Sequence, residues 1–94
     1  MATYVLLGTL TEDGAERLRQ HPEWIDEVNR DLKNMGVTVI AQYAVLGPYD
    51  LVTLVDAPDN RSVIRLSNEL SLRGSIKVIS MPAMPVEDLL SSLR

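Results

Sequence analysis

The sequence predicts an α+β fold of order β-α-β-β-α-β, a four-stranded antiparallel sheet with its helices on one face. Three observations carry that expectation. The chain falls into two similar halves, each an apolar β-rich run, an amphipathic stretch of period 3.6 and a further apolar run. Gly36 in one half and Gly74 in the other stand between helix and following strand, where a left-handed C′ residue belongs. Only the four-residue turn Gly47-Pro48-Tyr49-Asp50 separates the two inner runs, which makes them an antiparallel hairpin. Right-handed crossovers then put both helices on one face and the first and third strands side by side in the middle. That is the ferredoxin-like, split βαβ arrangement.

Taken in order, Tyr4 to Leu10 reads as the first strand. Thr11-Glu12-Asp13-Gly14 ends it, with Thr11 as N-cap and two acids at the positive end of the next helix. Leu18, Pro22, Ile25, Val28, Leu32 and Met35 then recur at steps of three and four among charged residues. Pro22 removes a donor and clashes with the carbonyl four residues back. A kink or restart is therefore expected at His21-Pro22, with Pro22 near the first position of the main helical stretch. Val37 to Leu46 and Leu51 to Val55 are the second and third strands. Asp59 caps a helix with Val63, Leu66 and Leu70 on one face. Ile76 to Met81 is the fourth strand, ended by Pro82 and Pro85. The tail, residues 85–94, has the pattern of a short helix that docks Leu89, Leu90 and Leu93.

The central strands are apolar on both sides. Tyr4, Leu6 and Leu10 alternate with Val5 and Leu7, and Leu51 and Val55 with Val52 and Leu54. A sheet face open to water should instead alternate apolar with polar. A chain of 94 residues has no second layer for the helix-free face. Large apolar patches are rare on monomers, so the expected cover is another subunit, in a homodimer or an even-numbered assembly of dimers.

Composition narrows function by exclusion. Residues 1–94 make a single domain. Nine Lys and Arg against thirteen Asp and Glu give a net charge of −4, the wrong sign for a nucleic-acid footprint. With no cysteine and one histidine, disulfides, thiol nucleophiles and multi-His metal sites within one subunit are excluded, and no cofactor is expected. No run approaches the roughly 18 apolar residues of a membrane span. Met1-Ala2-Thr3-Tyr4 carries no basic export signal, so a soluble cytoplasmic protein is expected.

Gly47-Pro48-Tyr49-Asp50 resembles the Gly-x-Tyr-Asp signature of the GYD-domain family, at the turn between strands two and three. Thr3-Tyr4, Gly14, Tyr43, Ala57-Pro58-Asp59 and Gly74 fall where that family has similar residues, so the resemblance spans residues 2–80. It implies the dimeric α/β-barrel superfamily, in which two ferredoxin-like sheets pack face to face. The family has no settled activity, so the resemblance implies a fold and a dimer rather than a reaction. The chain departs from the family pattern at Val78 and Ile79, where a polar strand with Thr and an acid is usual.

Five residues are candidates for a ligand site: Tyr4, His21, Tyr43, Tyr49 and Asp50. The Tyr49 hydroxyl and Asp50 carboxylate could bind a polar group or exchange a proton at the sheet edge. Turn chemistry explains them too, with Gly47 and Pro48 shaping the reversal, Asp50 bonding nearby backbone amides and Tyr49 packing across to its neighbour strand, and that structural reading is preferred. Tyr4 and Tyr43 suit a shared pocket wall, yet in a chain without Phe they also supply the aromatic core, and a core or interface role is preferred. His21 is the natural general base if there is one, but its place before Pro22 reads better as an exposed junction. Trp24 reads as cover for a seam or a subunit contact. Asp26, Glu27 and Asp31 read as a solvated face with Arg30 and Lys33 nearby. No catalytic set emerges.

Two function classes stay open. The preferred one is a non-catalytic small-molecule-binding or regulatory dimer, comparable to the effector-binding domains of feast/famine regulators. The alternative is a cofactor-free enzyme, isomerase- or oxygenase-like, acting on a hydrophobic substrate in the cleft between sheet and helices. A cavity with His21 or Asp50 aimed into it favours the enzyme; a filled cleft favours the binding module.

Overall fold

The computed structural model describes residues 1–94, and its helices begin and end where the sequence supplies what the backbone lacks. Thr11 accepts from the Gly14 amide at 3.1 Å to open α1 (Glu12–Gln20). Asp59 accepts from the Ser62 amide at 2.9 Å to open α3 (Asn60–Leu72), and that bond lowers the Asp59 pKa. Between them α2 (Trp24–Asn34) restarts after His21-Pro22-Glu23, the break that Pro22 imposes. Gly36 (φ 84°) and Gly74 (φ 78°) follow α2 and α3 in the left-handed region.

The strands are β1 (Ala2–Leu10), β2 (Thr38–Ala44), β3 (Leu51–Ala57) and β4 (Ile76–Ala83). They lie in the order β2-β3-β1-β4, every neighbouring pair antiparallel, which is the expected ferredoxin-like sheet. The start of α1 is tied to the start of β4. Thr11 Oγ1 donates to the Gly74 carbonyl at 2.7 Å, and Ser75 Oγ donates to Asp13 at 2.6 Å. That second bond holds the Asp13 carboxyl below its usual range. Gly14 lies so close to the Ser75 carbonyl that a Cβ there would overlap it.

Three expectations need correction, and β2 holds a feature the sequence did not announce. β4 runs through Pro82 to Ala83; it is an edge strand, so a missing ladder donor is tolerated. β2 ends at Ala44 rather than Leu46, which lengthens the four-residue turn to a loop from Val45 to Asp50. β2 also carries a bulge at Ile40, between Val39 and Ala41. The tail does form a helix, α4 (Val86–Leu93), but it does not dock: none of its residues is buried. Val86, Leu89, Leu90 and Leu93 all remain exposed. With α4 extended, the radius of gyration is 14.1 Å, against about 12 Å for a compact chain of this length.

The core lies between the sheet and the helices. Tyr4, Leu6, Val55 and Ala57 meet Val28 and Leu32 of α2 and Val63, Leu66 and Leu70 of α3. The alternate residues form the other face in two cross-strand rows. Tyr43, Val52, Leu7 and Ile79 make one row, and Ala41, Leu54, Val5 and Met81 the next. No helix of the chain covers them, and Tyr43, Ile79 and Met81 are exposed.

Candidate functional site

The five candidate residues do not converge. Asp50 sits where the hairpin loop meets the end of β1. Its backbone amide donates to the Gly8 carbonyl at 2.8 Å, and its carboxylate accepts from the Leu10 amide at 2.8 Å. Val45 donates to the Asp50 carbonyl at 2.9 Å and closes the loop over Gly47 (φ 141°) and Pro48. The carboxylate thus straps the loop to the central strand, and the amide it holds belongs to β1 rather than to the turn itself. Tyr49 beside it is half-buried.

Tyr4 is 3% exposed in the core, and its hydroxyl donates to Asn60 Oδ1 at 2.5 Å, at the start of α3. Tyr43 is 59% exposed on the opposite face. The two therefore share no cavity; Tyr4 is a core residue and Tyr43 stands on the helix-free face. Counting by twos from Val39 puts Tyr43 on the helix side; the bulge at Ile40 shifts the count by one and turns Tyr43 outward.

His21 lies outside both faces, at the α1–α2 break. Its Nε2 is 2.9 Å from Glu27 and its Nδ1 3.4 Å from Glu23. The Glu27 hydrogen bond, backed by the charges of both acids, raises its pKa above the ordinary 6.5. Beside it Arg17 lies over the Trp24 ring, 6.0 Å from the centroid. Asp31 holds Arg73 at 2.7 Å. These charges answer one another across an open groove.

The sheet–helix cleft is where a substrate would be enclosed. Its cavity is about 30 Å³, the space of roughly one water. Leu6, Ile25, Val28 and Leu51 are among its walls, and neither His21 nor Asp50 lines it. Its polar floor is made by Asn29, Gln42 and Thr53, residues that sequence reasoning missed. Asn29 and Gln42 exchange amide hydrogen bonds at 2.8 and 3.3 Å, and Gln42 also donates to Thr53 at 3.0 Å. These bonds clamp α2 to β2 and β3. A signal for Asn29 existed: it stands four residues after Ile25 and three before Leu32, on the apolar stripe. Gln42 had none, because the bulge alone turns it inward.

Residues 4–93 match the family described as GYD domain. A protein of Thermus thermophilus named "Glutamine synthetase and cystathionine beta-lyase binding protein" is 50% identical over 95 residues, spanning 100% of both chains. The crystal structure of TTHA0845 from the same organism superposes with a TM-score of 0.58, covering 90% of this chain and 95% of that one. At 24% identity it is similar in fold. No helix is long and apolar enough to cross a membrane.

Proposed function

The chain belongs to the GYD domain family, and on that premise we propose that it is a non-catalytic binding module, a cytoplasmic homodimer that docks on enzymes. One observation carries the reading. The cleft is filled to about 30 Å³, whereas the helix-free sheet face and the α4 stripe stand open. Small ligands sit in enclosed cavities of several hundred Å³; open apolar faces receive proteins. Asn29, Gln42 and Thr53 spend their hydrogen bonds on each other, which leaves no free polar group inside the cleft to orient a substrate. The Thermus relative is named for binding glutamine synthetase and cystathionine beta-lyase. We carry those two partners over as the expected ones, and the two apolar rows of the sheet as the homodimer contact.

Surface plasmon resonance tests the partner reading, with this protein immobilised and the two host enzymes passed over it. Binding of at least one, with Kd at or below about 10 μM, is expected. Silence from both at about 100 μM sinks the reading. A hydrophobic small molecule retained at one per subunit in native mass spectrometry moves the function to the small-molecule class.

A further inference from the structure

A second groove, of about 280 Å³, opens between α1, α2 and the junction of α3 with β4. Buried Val28, Leu70 and Ile76 give it an apolar floor, and Trp24 makes one wall. Trp24, Glu27 and Asp31 fall at i, i+3 and i+7, so one face of α2 lines it. Arg17 stands at the Trp24 end and Arg73 at the Asp31 end. The lining therefore carries two cations and two anions, with no net charge.

The four charged groups are not equally spent. Arg73 is held by Asp31 at 2.7 Å and by Glu69 at 3.5 Å. Arg17 donates no hydrogen bond within the chain. Its ionic neighbour Asp13 is 3.6 Å away, beyond hydrogen-bond reach, and already accepts from Ser75 at 2.6 Å. A free guanidinium fork is shaped for a carboxylate. On the other side Glu27 gives Oε1 to His21 and Asp31 gives Oδ2 to Arg73. Glu27 Oε2 and Asp31 Oδ1 accept nothing from the chain, and an ammonium group has three donors for such oxygens. Glu27 lies about 4.5 Å along the helix axis from Trp24. Arg17 sits 6.0 Å from the centre of that Trp24 ring. The free cation and the free carboxylate oxygens are thus about one helical turn apart, a short span suited to two opposite charges on one carbon.

We propose that this groove binds an α-amino acid with an apolar side chain. Its carboxylate lies on Arg17, its ammonium between Glu27 and Asp31, and its side chain on Val28, Leu70 and Ile76. A simple anion meets the two acids and a simple cation meets the two guanidiniums. A ligand with both signs on neighbouring atoms matches the lining at every point. The inference goes beyond enzyme docking and does not depend on it. It is tested on this chain alone, so the two readings fail separately.

Trp24 is the only tryptophan, so its indole gives a single reporter signal at the groove. In ¹H–¹⁵N spectra, L-leucine is expected to shift that signal and the nearby amides of α1, α2 and the α3–β4 junction, saturably, with Kd of about 0.1–1 mM. Leucinamide, which lacks the carboxylate, and 4-methylpentanoate, which lacks the ammonium, should each bind at least tenfold more weakly. Arg17→Gln should weaken L-leucine at least tenfold with the rest of the spectrum retained, since Arg17 is exposed and bonds nothing in the fold. Glu27→Gln should lower the affinity for L-leucine and not for 4-methylpentanoate. No saturable shift with L-leucine, L-valine or L-phenylalanine at about 10 mM overturns the proposal. So does either truncated probe binding as tightly as L-leucine, or Arg17→Gln binding it undiminished.

Discussion

The two faces of the sheet are built from alternate residues of the same strands, and they meet different surroundings. On the covered face Tyr4, Leu6 and Val55 are 3%, 4% and 0% exposed beneath α2 and α3. On the other face their neighbours Val5, Leu7 and Leu54 are as apolar, yet only half-buried. Residue type alone does not separate the faces; what lies over them does. Where helices cover the sheet, apolar area becomes folding stability. Where nothing of the same chain covers it, equal apolar area is left for association, and its worth depends on protein concentration.

The largest expected effect comes from adjacent residues of β1. Leu6→Ala should cost about 3 kcal/mol in urea denaturation at any protein concentration, since it empties core space. Leu7→Ala should cost under about 1 kcal/mol in dilute solution and, in the proposed homodimer, progressively more as concentration rises. Equal, concentration-independent losses at both positions would break the comparison.

Gly14→Ala should follow, at about 2–3 kcal/mol, because the added Cβ overlaps the Ser75 carbonyl and must push α1 off the start of β4. A variant that melts like the parent would show that this junction yields freely.

Asp50→Ala should cost about 1–3 kcal/mol by stranding the Leu10 amide, and Asp50→Asn about 1 kcal/mol or less because it retains an acceptor. Thermal melts rank the pair. If neither variant loses stability but binding of an enzyme partner disappears, the Gly47–Asp50 loop is a docking element rather than a strap.

His21 serves as a control outside both faces, with the smallest effect. Its folded pKa is raised, first by the Glu27 hydrogen bond, so the protonated form is favoured in the folded state. The resulting stabilisation is complete below about pH 6.5 and fades as pH rises through the folded value. An NMR titration of the lone imidazole should place its midpoint above 6.5, and His21→Gln should flatten the stability profile there. A midpoint displaced downward would point to burial and reopen the general-base reading.

Much of this architecture was legible in the order of residues. Cap-forming Thr11 and Asp59, the closing glycines Gly36 and Gly74, and the break at Pro22 act within a few residues of themselves, so local chemistry sets them. The two-sided apolar character of β1 and β3 was equally plain, because side chains alternate with period 2 in any strand. Three things were decided only in tertiary structure. The bulge at Ile40 reassigns the faces of Gln42 and Tyr43, and it depends on how β2 settles against β3 across the hairpin. The acceptor role of Asp50 depends on where the end of β1 comes to lie, 40 residues away in sequence. The stripe of α4 declares an amphipathic helix but not its partner. The helix periodicity is a property of neighbours in the chain, whereas burial is a property of whatever surface arrives from elsewhere.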